Sequence, residues 1–161
     1  CMDTDPARIE RIQGGDLPFY EPGLNELVQT GIAQNTLCFT ADTAEAVEAS
    51  DYLFICVGTP AAADGSADLQ CVMSVAEGIA AHITSRKVVV NKSTIPVGTA
   101  DKVAECIAAG LAAHGAEISF EVCSNPEFLK EGSAVADALK PDRIIIGARS
   151  QATMAEFRRM Y

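Results

Sequence analysis

An α/β fold, doubly wound around a mainly parallel sheet, is predicted for this chain by three observations. Four short apolar runs, LFICVG (53–58), KVVVNK (87–92), ISFEVCS (118–124) and RIIIG (143–147), barely alternate with polar residues, as strands covered on both faces do. Stretches of helical period lie between them, which gives the β-α-β-α order of a doubly wound sheet. Two polar segments, KSTIPVGT (92–99) and SNPEFLKEG (124–132), stand where a run ends, and in such sheets ligands sit at the carboxyl ends of the strands.

The elements follow in order. Cys1 and Met2 read as the end of a strand, followed by Asp3 and then a helix from near Pro6, a favoured first-turn residue. A polar stretch over 13–23, rich in glycine and proline, precedes a short helix over 24–30 and a short strand, CFTA (38–41). Helical periods then cover 43–50, 68–84, 98–114, 131–139 and 150–161. Asp68 and Ser150 are N-cap types, and Gly115 suits the stop of the helix that runs through His114. No internal repeat, low-complexity tract or linker-like run interrupts the pattern, so one domain is the expectation.

Composition narrows the classes. A chain of 161 residues that is 48% hydrophobic buries one ordinary core. Twelve basic against twenty-two acidic residues give a net charge of −10 with no basic stripe, which argues against nucleic acid as a partner. The six cysteines, Cys1, Cys38, Cys56, Cys71, Cys106 and Cys123, form no CxxC pair and mostly lie in apolar runs, as the reduced core cysteines of a cytoplasmic protein do. His82 and His114 have no ligand-type neighbour at metal spacing, so no metal site is expected. No apolar run reaches the roughly 18 residues of a membrane span and no leader opens the chain, which predicts a soluble protein without a membrane partner.

Several residues have two readings each. In a dinucleotide-binding, Rossmann-like fold, an acidic residue at the end of the second strand bonds the adenine ribose. Asp3 has that place, and Arg8 follows it on the helix; the plainer reading makes Asp3 a helix cap and Arg8 a solvated charge. Gly58, Thr59 and Pro60 follow a buried strand, where a small residue lets the backbone approach a ligand, or they form an ordinary Gly-Pro turn. Lys92, Ser93 and Thr94 leave the next strand before a helix N-terminus suited to anions and polar ligands. The alternative is a capping turn with Lys92 in a surface ion pair. Glu127 and Glu131 share a face if 128–132 is helical, as acid/base partners or as a solvated surface.

The strings MDTDPARIERIQGG, PFYEPGL, CVGTP, ADL, NKSTIPVGT, SNPEFLKEG and PDRIIIG, in this order across nearly all the chain, resemble the nucleotide-binding domain of the UDP-glucose/GDP-mannose dehydrogenase family. KSTIPVGT followed by NPEFLKEG carries most of the weight, and PDRIIIG favours the UDP-glucose branch. The resemblance implies oxidation of the C6 alcohol of UDP-glucose, or of a related nucleotide sugar, to the carboxylate with two NAD. An aldehyde intermediate is held on a cysteine in the second half of the family's chain. GDP-mannose or UDP-N-acetylmannosamine as substrate, and a noncatalytic nucleotide-binding remnant, are the alternatives.

By the same resemblance, Asp3, Arg8, Gly58, Thr59 and Pro60 bind the cofactor, with Thr59 on the family's NAD-contacting threonine and Thr94 near the nicotinamide. An acidic Asp3 disfavours a 2′-phosphate, so NAD is expected over NADP. Glu127, Phe128, Leu129, Lys130 and Glu131 lie against the sugar nucleotide, Glu127 as an acid/base or water-positioning residue and Glu131 touching substrate and cofactor. Thr94, Glu127 and Glu131 are the catalytic candidates. None of the six cysteines matches the trapping cysteine. The first strand and its glycine-rich turn are not among these residues, which predicts two sheet halves without their shared neighbour. Residues 1–149 are expected to be part of the NAD-binding domain and 150–161 the start of a helical connection. The expectation is a piece of a longer, homo-oligomeric enzyme that is inactive alone.

Overall fold

The computed structural model describes residues 1–161, which fall into two compact units: Cys1–Ala46 with Phe128–Arg143, and Val47–Glu127 with Ile144–Tyr161. In chain order the elements are α1 (Pro6–Gln13), α2 (Leu24–Ala33), α3 (Thr43–Glu48), β1 (Tyr52–Ile55), α4 (Gln70–His82), β2 (Lys87–Asn91), α5 (Thr99–Ala113), β3 (Phe120–Ser124), α6 (Ala134–Leu139) and α7 (Gln151–Met160). No helix is long and apolar enough to cross a membrane.

In the first unit, Pro6 opens α1, where its missing N–H is not needed, and the Asp5 carboxylate accepts from the Ala7 and Arg8 amides. Asp5, and not Asp3, is therefore the cap. CFTA makes no strand: Thr40 forms a single parallel bridge with Met2, the Asp3 amide donating to the Thr40 carbonyl at 3.2 Å. Cys38 and Ala41 are exposed and Phe39 and Thr40 only half-buried, so the segment has no continuous apolar face to hold a longer ladder. α6 starts later than the expected 131 because Gly132 sits at φ 85°, a left-handed value that interrupts a helix.

The second unit carries the sheet. Its three strands are all parallel in the order β1-β2-β3, with Phe54 opposite Val90 and Val90 opposite Cys123. Alternation sends Ile55 and Val89 to one face, buried with Val72, Ala76 and Ile79 of α4 and Val103 and Ile107 of α5. Val88, Val90 and Cys123 face the other way and are closed by Phe157 of α7. Each fully buried valine of β2 contributes on the order of 1.5–3 kcal/mol. Burial on both faces holds throughout β2, whereas β1 and β3, the outer strands, are fully buried only at Ile55 and Cys123. α4 and α5 approach closely at Gly110, where a methyl group would come within 2.6 Å of the Ala80 Cβ.

Two caps come out as expected and one shifts. Ser150 accepts from the Thr153 amide at the start of α7, and Gly115, at φ 65°, follows the end of α5. Asp68 accepts from the Gln70 amide at 2.9 Å, but the capping position is Leu69.

RIIIG is not a strand. It meets β3 only through an antiparallel bridge between Ser124 and Gly147, their amides and carbonyls exchanging bonds of 2.9 and 2.8 Å. Ile144 and Ile145 are exposed, so this apolar run lies along the sheet's end without entering it. The cysteines are all free, as expected, yet Cys1, Cys38, Cys56 and Cys71 are exposed and only Cys123 is buried. Apolar neighbours misled here because neighbours in sequence point to different faces: Cys71 is exposed beside the fully buried Val72.

Candidate functional site

At the carboxyl end of the sheet, the segments after β1 and β2 are tied to each other by Ser93 and Thr59. The Lys92 and Ser93 amides both donate to the Ile55 carbonyl, at 3.0 and 3.1 Å. The Ser93 hydroxyl donates to the Val57 carbonyl at 2.7 Å. The Thr59 hydroxyl donates to the Thr94 carbonyl at 2.8 Å, so its proton is used and its oxygen lone pairs remain. Gly58 has no atom within 4 Å of the position a Cβ would take. Thr94 is exposed at the head of the Pro96–Gly98 turn, where Gly98 adopts φ 89° and the Thr99 hydroxyl donates to the Pro96 carbonyl at 2.8 Å. Thr99 thus secures the turn, while the cap of α5 is Gly98.

Asn125 holds the same end of the sheet together from β3. It is 1% exposed, and its amide donates to the Asn91 carbonyl at 2.9 Å, continuing the pairing of β2 and β3. Its Nδ2 donates to the Ile145 carbonyl at 3.0 Å. Its Oδ1 accepts from the Tyr161 hydroxyl at 2.6 Å and from Lys92 Nζ at 3.3 Å, and Lys92 Nζ also lies 5.9 Å from the centre of the Tyr161 ring. Lys92 is therefore not in a surface ion pair. No signal in the sequence pointed to the Lys92–Asn125–Tyr161 group. No periodicity signals a contact between residues 36 apart.

In the first unit, Asp3 accepts from the Asp5 amide at 2.9 Å and pairs with Arg8 at 2.7 Å. The Asp5 amide holds the Asp3 carboxyl below the ordinary aspartate range, desolvation opposes it, and the Arg8 guanidinium adds to the lowering. Residues 128–132 are not helical, so the helical face expected to carry Glu127 and Glu131 does not exist. Phe128, Leu129, Lys130 and Glu131 instead form an exposed loop. The Arg143 guanidinium stands 5.0 Å from the centre of the Phe128 ring, and Lys130 Nζ lies 3.7 Å from Asp137. The Asp137 carboxyl is itself held low, first by the Lys130 amide that donates to it at 3.0 Å, against desolvation, and then by the Ser133 hydroxyl and the Lys130 charge. Glu127 is exposed at the end of the second unit's first segment.

A parallel sheet with helices on both faces and polar loops at its carboxyl end is the doubly wound, Rossmann-like class of nucleotide-binding domain. The family model described as "UDP-glucose/GDP-mannose dehydrogenase family, NAD binding domain" matches residues 1–161, and the chain belongs to that family. It is 45% identical to a UDP-glucose 6-dehydrogenase of Pseudomonas aeruginosa over 161 residues, covering all of this chain and 36% of that protein. It resembles the structure of a UDP-glucose dehydrogenase from Pyrobaculum islandicum with a TM-score of 0.88 and 40% identity, over 97% of this chain and 36% of that one. It resembles a ternary complex of a GDP-mannose dehydrogenase from Pseudomonas aeruginosa with a TM-score of 0.90 and 34% identity, over 99% of this chain and 37% of that one. The chain spans about a third of the length of the curated relatives it matches.

Proposed function

We propose that the chain is the dinucleotide-binding part of a dehydrogenase that oxidises UDP-glucose at C6 to UDP-glucuronate with two NAD, and that it does not turn over alone. The observation that carries this reading is the higher identity to the UDP-glucose relatives than to the GDP-mannose relative over nearly the whole chain. Residues 1–149 would belong to the nucleotide-binding domain, and α7 would begin the helical connection of a homo-oligomeric enzyme.

NAD, when bound, supplies the hydride acceptor. The residues present fit it. Asp3 keeps its charge and is not needed as a helix cap, so its carboxylate is available to both hydroxyls of the adenine ribose. Arg8 fixes the orientation of that carboxylate and brings a positive charge beside the ribose. The same carboxylate would repel a 2′-phosphate, which selects NAD over NADP. Open space at Gly58 lets the dinucleotide approach the backbone, Thr59 offers an acceptor oxygen, and Pro60 stiffens the turn.

Thr94 would bond the reacting end or an ordered water. Glu127 would act as an acid/base or water-positioning residue, Phe128, Leu129 and Lys130 would receive the sugar nucleotide, and Glu131 would touch substrate and cofactor. Cys123 is no candidate for the trapping thiol, because burial and then the Glu121 charge push its pKa up to about 12. The trapping cysteine would come from outside residues 1–161.

Steady-state NADH formation by the full-length protein with UDP-glucose, GDP-mannose and UDP-N-acetylmannosamine tests the substrate. UDP-glucose is expected to lead in kcat/KM by roughly 10²-fold or more. A lead by GDP-mannose would overturn the substrate assignment. NAD binding without NADH from any of the three would make the protein a noncatalytic binder.

A further inference from the structure

Glu21 is a buried carboxylate whose two oxygens serve a loop more than a hundred residues away. Its Oε2 accepts from the Gly132 amide and its Oε1 from the Ala134 amide, each at 2.8 Å. Glu21 is itself fixed in a turn: the Leu24 amide donates to its carbonyl at 3.1 Å, and Pro22 and Gly23 lead directly into α2. Both receiving amides need an outside acceptor. Ala134 opens α6, whose capping residue Ser133 accepts from no first-turn amide and gives its hydroxyl to the Asp137 carboxylate instead. Gly132 is at φ 85°, outside any helical ladder.

The loop that Glu21 grips has little else to hold it by burial. Phe128 and Leu129 are 46% and 45% exposed, and Lys130 and Glu131 are exposed as well. Its backbone is pinned at Lys130 by Asp137 and at Gly132 and Ala134 by Glu21. The alternate amides of 130, 132 and 134 are thus fixed at and just beyond the carboxyl end of the 128–131 segment, and the Ser133 amide donates to the Lys130 carbonyl at 3.0 Å. An exposed loop without such pins samples many conformations and pays its ordering cost when a ligand binds.

We infer that Glu21 is the positioning residue for the loop of residues 128–131, holding it preorganised for the sugar nucleotide. This rests on the proposed function, which gives that loop to the substrate. Glu21 does not touch the cofactor residues Asp3 and Arg8, whose side chains bond each other while the Asp3 carboxylate also accepts from the Asp5 amide. Its effect therefore falls on sugar-nucleotide binding and leaves NAD binding alone.

The test uses the full-length enzyme and Glu21→Gln, which keeps the size of the side chain but offers one acceptor and sets an amide N–H₂ against a backbone N–H. The expected result is a KM for UDP-glucose raised about tenfold, with the NAD dissociation constant and kcat each within about threefold of the parent. A folded variant whose KM for UDP-glucose stays within about twofold overturns the inference. Should the variant not fold, hydrogen exchange on the unaltered enzyme decides: the Gly132 and Ala134 amides are expected to be protected before UDP-glucose is added, and protection that arises only on its addition overturns the inference. An unaltered enzyme that makes no NADH from UDP-glucose overturns the functional reading and this inference with it. NADH from the parent with an unmoved KM in the variant overturns the inference alone.

Discussion

Asp3 accepts from the Asp5 amide and the Arg8 guanidinium at once, and these two hydrogen bonds keep it charged where a free aspartate would begin to take up a proton. Because its folded-state pKa is depressed, the stabilisation it gives is complete above the ordinary aspartate value and is lost only as pH falls through the lowered one. NAD affinity that depends on this carboxylate is expected to hold through the ordinary aspartate range and to fall below it. Asp3→Asn is expected to weaken NAD by roughly tenfold and to abolish that acidic fall, as read by NAD titration across pH. Unchanged affinity would remove Asp3 from the cofactor site. Its exposed ion pair with Arg8 adds only about 0–1 kcal/mol, so folding is expected to survive the substitution. Asp3 was singled out in the sequence because an acid just past an expected strand end has a defined place in this fold, although Met2 makes only a single bridge, to Thr40. Glu21 was not, although PFYEPGL was recognised as a motif, because nothing local reveals a carboxylate whose partners lie 111 and 113 residues further on.

At the scale of elements, β2 shows what an apolar run can reveal and RIIIG shows what it cannot. Three consecutive valines are fully buried on both faces of the central strand, as their pattern implied. RIIIG is an equally apolar run but lies antiparallel at the sheet's end, held by one bridge, by Asn125 Nδ2 and by Ile146 against the Phe157 cluster, contacts that its own pattern does not display. Asn125→Ala removes the acceptor of Lys92 and Tyr161 and the donor to Ile145, and is expected to destabilise the protein by about 1–3 kcal/mol, read as a lower urea midpoint. An unchanged midpoint would show that this end of the sheet does not depend on Asn125. Gly110→Ala sets two effects against each other. Helix propensity favours alanine by about 1 kcal/mol, whereas a methyl at 2.6 Å from the Ala80 Cβ forces α4 and α5 apart. The clash is expected to win, with a net loss of about 1 kcal/mol or more, and a gain in thermal stability would mean the helices yield freely.

The molecule as a whole belongs to its family through the order of its strand ends and loops, and that order was the most legible feature of the sequence. CVGTP, NKSTIPVGT and SNPEFLKEG each follow one of the three parallel strands, as polar segments at the carboxyl ends must in this fold. Less legible was the grouping of the chain into two units, since Phe128–Arg143 joins the amino-terminal residues through bonds such as those of Glu21, which only the folded chain displays. If these residues serve a four-electron oxidation of a nucleotide sugar, counting NADH against UDP-glucose consumed by the full-length protein is expected to give two NADH per sugar, with UDP-glucuronate as the product. One NADH with a released aldehyde, or none from a folded protein that binds NAD, would overturn that function.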